Sequence, residues 1–203
     1  MRLILASASP RRAELLAAAG YTFDVHRVDV DERVRSGEGA AAYVQRLASE
    51  KSARALEEIR AFSNGQVVPG LVVIGADTAV VVGDDVLGKP HDAEDAGRML
   101  RRLSGRTHQV LTGVSVRSAT ADLTHVEVST VTFARLTEDQ IAWYVSSGEG
   151  RDKAGAYAVQ GLASRFIPRI EGSYANVVGL PVALLDGLIR RLSWPPSLLA
   201  SRE

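Results

Sequence analysis

One segment limits what this chain can become more than any other: Leu71-Val72-Val73-Ile74-Gly75-Ala76-Asp77-Thr78-Ala79-Val80-Val81-Val82. Branched apolar residues before and after Gly75-Ala76-Asp77-Thr78 predict a buried strand. Gly83-Asp84-Asp85 then turns the chain back into Val86-Leu87, a predicted hairpin. Within this run stands Asp77, flanked by Val, Ile and Ala. A carboxylate so placed loses hydration and needs a partner to offset that cost. It can bind a metal or serve as a general base. The plainer alternative is a turn Asp bonding its own backbone. A strand interior is a poor place for an idle carboxylate, so the functional reading is preferred.

The remaining pattern mixes strands and helices without strict alternation. Leu3 to Ala6 predicts a buried strand. Ser9-Pro10 predicts a helix start, Ser as N-cap and Pro at the first helical position, with Gly20 as the stop. Phe23, Val25 and Val28 suggest a second strand. Apolar positions from Ala40 to Ile59 follow helical spacing. A helix around Ala96, Met99, Leu100 and Leu103 closes at Ser104-Gly105. Residues 108–116 and 123–133 predict long paired strands. Thr137-Glu138-Asp139-Gln140 is a capping box, and a last helix covers Pro181 to Leu192. Ser36 to Gly39, Ser63-Asn64-Gly65 and Ser146 to Gly150 predict loops. The expected fold is α/β: a mixed twisted sheet with flanking helices, in two lobes around a central cleft. Residues 1–192 form one domain, and 193–203, beginning Ser193-Trp194-Pro195-Pro196, form a C-terminal extension.

Charge and cysteine content exclude several classes. Lys+Arg number 24 and Asp+Glu 24, so the 203 residues carry no formal net charge. That argues against a stable nucleic-acid or anionic-membrane partner. With no cysteine there is no disulfide scaffold, thiol nucleophile or thiolate metal site. No apolar stretch approaches the ~20 residues that span a bilayer, and the apolar start ends at Ser7, too short for a signal-peptide core. The cytoplasm is the expected location.

Other segments could carry chemistry. Ser7-Ala8-Ser9-Pro10-Arg11-Arg12 forms a strand–turn–helix whose free N–H groups and partial positive charge favour an anion. A capped surface helix with solvated arginines explains it equally well. Gly83 to Lys89 follows the phosphate-loop spacing, but Pro90 stands where Ser or Thr should hold magnesium, and no helix follows. A P-loop ATPase is therefore rejected, leaving Gly88-Lys89-Pro90 as a rigid turn presenting one lysine. In Asp152 to Gly161, Gln160 offers a donor and an acceptor to a base edge, against the plainer reading of a glycine-rich loop with an Asp–Lys pair. Asp29, Asp31, Glu32, Glu50 and Lys51 add further candidates, although Arg54 lies four residues after Glu50 and a helix salt bridge competes. The histidines, His26, His91, His108 and His125, lack zinc spacing.

Taken in order, these pieces resemble the Maf-type nucleoside triphosphate pyrophosphatases from Leu3 to about Leu192. They are Ser7 to Arg12, Tyr43 to Lys51, Gly75-Ala76-Asp77-Thr78, Gly88-Lys89-Pro90, Leu103-Ser104-Gly105 with His108, Asp152 to Tyr157, Gly172-Ser173-Tyr174 and Val177 to Pro181. Each piece is weak alone, and their order and spacing are specific. The resemblance implies a fold like that of the inosine triphosphatases, a divalent cation (Mg²⁺ or Mn²⁺) and a homodimer. It implies cleavage of nucleoside triphosphates, dTTP, UTP and modified pyrimidine nucleotides among them, to monophosphate and pyrophosphate. It gives Asp77 the role of proton acceptor and places Arg12, Thr78 and Gln160 at positions that set preference for dTTP and UTP.

The residues suit that chemistry. Ser7, Ser9, Arg11, Arg12, Lys51 and Lys89, with Lys153 as a further cation, offer donors and positive charge to phosphates. Asp77 with Glu32 or Glu50 supplies oxygen ligands for a metal. A nucleotide-binding regulator without turnover, linked to septum formation, is the rival reading. A pure anion binder, however, gains nothing from a carboxylate near phosphate.

Overall fold

The structure, a computed structural model, describes residues 1–62 and 69–193. The loop read at Ser63-Asn64-Gly65 and the extension beyond Ser193 lie outside the described residues. Seven strands form one sheet: β1 (Arg2–Ala6), β2 (Phe23–Val25), β3 (Leu71–Val82), β4 (Asp85–Leu87), β5 (Thr107–Arg117), β6 (Asp122–Thr132) and β7 (Arg169–Glu171). Their order is β2-β1-β3-β5-β6-β7, with β4 paired to β3. β1 runs parallel to β2 and β3, while β4 is antiparallel to β3 and β7 to β6. The mixed α/β class expected from the sequence is therefore the one found. The chain divides into two compact units, Met1–Asp77 with Gly113–Glu127 and Leu180–Glu203, and Thr78–Thr112 with Val128–Gly179.

In the first unit, β1 and the start of β3 are buried on both faces. Leu3, Leu5, Val72 and Ile74 pack with Leu16, Val114, Val116, Leu185, Leu188 and Ile189. The alternate residues Ile4, Ala6, Leu71 and Val73 pack with Ala55 and Leu56. This is the period of two expressed on both faces, which is why these strands read as apolar runs rather than alternating ones. Helices α1 (Pro10–Ala18), α2 (Ala40–Phe62) and α6 (Val182–Ser193) supply the covering layers. Gly20, at φ +83°, ends the α1 turn in the left-handed region, as expected of a glycine stop. Ser9 stands at the N-cap but its side chain makes no capping bond. Instead its N–H donates to Ser7 Oγ at 3.2 Å. β2 stops at Val25, short of Val28.

The second unit holds the end of β3, β4, β7, α3 (Ala93–Leu103), α4 (Glu138–Ser147) and the short α5 (Tyr174–Val178). Asp92 caps α3 by accepting the Asp95 N–H at 2.8 Å. Thr137 and Gln140 form the capping box that opens α4. The core joins Val80, Leu100, Leu103, Val110, Phe133, Ile141, Tyr144, Tyr157 and Phe166. β7 and α5 escaped the sequence reading because three to five residues are too few to show a period. No described helix is long and apolar enough to cross a membrane.

Candidate functional site

Close helix–sheet packing builds the site in the first unit. A Cβ on Gly75 would stand 2.1 Å from Ala48 O and 2.8 Å from Ser52 N, so only glycine lets α2 lie this near β3. Gly113 does the same on β5, where a Cβ would meet Val44 O at 2.2 Å. Along β3, side chains two apart share a face, which places Asp77 on the same side as Gly75 and hence toward α2. Along α2, Ala48, Lys51, Ser52 and Ala55 form one buried stripe. Lys51 therefore reaches across to Asp77, its Nζ donating to Oδ1 at 2.7 Å. The same ammonium donates to Glu32 Oε1 at 2.7 Å. Side-chain exposure is 9% for Lys51 and 11% for Asp77, against 47% for Glu32. One carboxylate is thus buried and the other reaches in from the surface.

Arg12 completes the group. It is buried at the first turn of α1, and its Nη1 donates to Ser7 Oγ at 3.1 Å. Burial pulls its pKa below the usual guanidinium value, Asp77 opposes that, Arg11 adds to it, and Glu32 opposes it. The charges of Arg12, Arg11, Asp77 and Glu32 are therefore felt together. Ser7 Oγ accepts from both Arg12 and the Ser9 N–H, fixing the strand-to-helix turn.

Glu50 does not pair with Arg54: Arg54 Nε bonds Glu58 at 2.6 Å, while Glu50 accepts from Arg35 at 2.9 Å and Arg46 at 3.2 Å. Among the described residues, no group of three His, Asp or Glu side chains stands ready to hold a metal ion. Asp77 and Glu32, converging on one ammonium, remain a pair of oxygen donors. That fits a cation which takes one or two carboxylates and completes its shell with water and phosphate oxygens.

The loop between β2 and α2 carries Glu32 and is strapped to α2 by Arg46 and Tyr43, to which the sequence reading gave no individual role. Arg46 donates through Nε and Nη2 to both oxygens of Glu38, at 2.5 and 2.8 Å. That bidentate bond, with the Arg35 N–H, holds the Glu38 carboxyl down at about 2. Arg46 also donates to Asp31 O at 3.4 Å and Arg33 O at 3.1 Å, and the Tyr43 hydroxyl to Glu32 O at 2.9 Å. The one available hint was Arg46 lying four residues before Glu50 on a helix.

In the second unit, Thr78 lies next to Asp77 in sequence but on the opposite face of β3. Its Oγ1 is 3.0 Å from Thr112 Oγ1, which donates to Asn176 O at 3.1 Å. Asn176 is fully buried and donates to Val110 O and Ser129 Oγ, both at 3.0 Å. Lys89 and Gln160 are exposed. The Gly88-Lys89-Pro90 turn is tied down by the Gly155 N–H, which donates to Gly88 O at 3.0 Å. Lys153 bonds locally, to Glu149 O and Asp152, both at 2.6 Å.

Known proteins resemble this chain over most of its length. A protein of Anaeromyxobacter dehalogenans (strain 2CP-C) called dTTP/UTP pyrophosphatase is 54% identical over 198 residues, 96% of this chain and 95% of that one. A Hahella chejuensis protein of the same description is 51% identical over 181 residues, 89% and 87% of the two chains. The solved structure of the Staphylococcus aureus Ham1 protein aligns with TM-score 0.49 and 14% identity, over 95% of this chain and all of that one. The family of Maf-like proteins matches residues 2–192, so this chain, with its Asp77–Lys51–Glu32 group, belongs to the Maf family.

Proposed function

We propose that this protein is a nucleoside triphosphate pyrophosphatase acting on dTTP, UTP and modified pyrimidine triphosphates. The observation that carries the reading is the Lys51 ammonium shared by Asp77 and Glu32 beside the buried Arg12. The names of relatives about half identical to this chain support it. A binder of anions alone would not place two carboxylates among its cations.

A triphosphate carries about four negative charges, and preorganised cations lower the barrier by stabilising charge that develops on phosphoryl oxygens. Arg12, Arg11, Lys51 and Lys89 take that role, with Ser7 and Ser9 as hydroxyl donors. Asp77 and Glu32 would hold the divalent cation, Mg²⁺ or Mn²⁺, which would supply neutralisation of phosphate charge and acidification of water. Asp77 is held through Oδ1 by Lys51, and its Oδ2 accepts the proton of the water that attacks the α-phosphorus. The P–O bond to the β-phosphate breaks and pyrophosphate leaves. Thr78 and Gln160 set the preference for a pyrimidine. The family resemblance supports a homodimer, which light scattering on the purified chain would test.

A panel of natural and modified triphosphates with Mg²⁺ or Mn²⁺, scored for pyrophosphate, tests the reading. Asp77→Asn should fold and lose turnover by about 100-fold or more. Full activity in that variant, or orthophosphate as the product, would overturn it. Gln160→Ala should weaken dTTP and UTP turnover more than that of purine triphosphates; equal losses would make Gln160 structural.

A further inference from the structure

The loop carrying Glu32 has no regular structure from His26 to Gly39 except a turn at Ser36-Gly37. Holding one of its side chains on Lys51 costs conformational entropy. Something must supply compensating bonds, and Arg46 does so in a distinctive way. Its guanidinium grips the backbone on either side of Glu32, at Asp31 O and Arg33 O, and locks Glu38 by a bidentate pair. A second carboxylate, Glu50, braces it from its own helix. Side-chain exposure of 12% for Arg46 and 10% for Glu38 shows a pair shielded from competing water. Arg46 lies five residues before Lys51 on α2, so strap and ammonium are anchored to the same rigid element.

We propose that Arg46 is a positioning residue that acts through Glu32: by clasping the strap on both sides of that carboxylate, it sets Glu32 on Lys51 and so completes the oxygen pair with Asp77. This rests on the metal role given to Glu32 under the proposed function. Lysine cannot replace it, because a point-charge ammonium does not offer the planar fork that reaches a carboxylate and two carbonyls together.

The test is Mn²⁺ binding to the full-length protein without nucleotide, read from the paramagnetic resonance of free Mn²⁺, with melting temperature followed in parallel. Glu32→Gln should weaken binding by about tenfold or more, as should Arg46→Ala, within the range expected for residues that orient ligands. Arg46→Lys should stay impaired. The double variant Arg46→Ala/Glu32→Gln should bind no more weakly than Glu32→Gln alone, because both changes break one chain of action. Multiplying losses, or wild-type binding by Arg46→Ala, would overturn the inference and leave the metal reading standing. Wild-type binding by Glu32→Gln would remove the metal role of Glu32, and the inference with it. Should Arg46→Ala fail to fold, Glu38→Gln takes its place in the same cycle, with the same expected and overturning results.

Discussion

Lys51 carries more than its own charge. It is one ammonium between two carboxylates, almost wholly shielded on the Asp77 side. Removing one partner of a buried pair leaves the other desolvated, which costs about 3–5 kcal/mol, whereas replacing both by apolar groups is often nearly neutral. Lys51→Met should therefore lower stability by about 3 kcal/mol. Lys51→Met/Asp77→Leu should recover most of that while remaining inactive. Urea unfolding of the two variants, beside pyrophosphate release, checks both statements. No recovery in the double variant would mean that Lys51 is needed for packing rather than for charge balance. The sequence exposed Asp77 because an acid in an apolar strand is conspicuous. Its partner was legible as a candidate cation on a helix, but no local pattern says that position 51 meets position 77.

At the scale of elements, the decisive contact is between α2 and the sheet. Gly75→Ala puts a methyl into the Ala48 carbonyl, and backbone cannot swing aside as a side-chain tip can. Overpacking of this kind costs about 1–3 kcal/mol, and the helix must retreat from β3. Gly75→Ala should thus lose stability and also weaken catalysis, because Lys51 retreats with the helix. Gly88→Ala, where a Cβ meets nothing within 4 Å, is the control and should leave the melting temperature near wild type. Thermal melts and kcat measured together would show whether the two losses travel as one. Most elements were legible in the chain: a twelve-residue strand rich in branched residues and a helix opened by a capping box announce themselves. β7, α5 and the clasp of Arg46 were not, because short elements have no period and long-range hydrogen bonds leave no spacing in sequence.

For the whole molecule, equal numbers of acidic and basic side chains say little about charge in the interior. His108 shows this best. It is 2% exposed, touches Tyr157 OH through Nε2 at 2.8 Å, and its buried Nδ1 has no partner among the described residues. Burial lowers its pKa to about 4 from an ordinary 6.5. Above pH 6.5 the ring is neutral in both folded and unfolded chains, so it contributes no pH dependence. Below that, the unfolded chain takes up a proton that the folded chain refuses, and stability falls until about pH 4. The full difference amounts to about 3 kcal/mol at most. Denaturant midpoints between pH 7 and 4 should fall for the wild type and fall less steeply for His108→Gln.

The alternation of β3 has one more consequence, and it concerns how such a chain can vary over time. Asp77 and Thr78 lie on opposite faces because neighbouring strand residues must. A single residue gained or lost between Gly75 and Asp77 would exchange those faces, turning the acid away from Lys51 and the threonine toward it. Substitution can tune this stretch, whereas any change of length there abolishes it in one step. Insertions and deletions that leave a working protein should therefore be confined to connections elsewhere, and the spacing from Gly75 to Thr78 acts as a fixed ruler for the lineage.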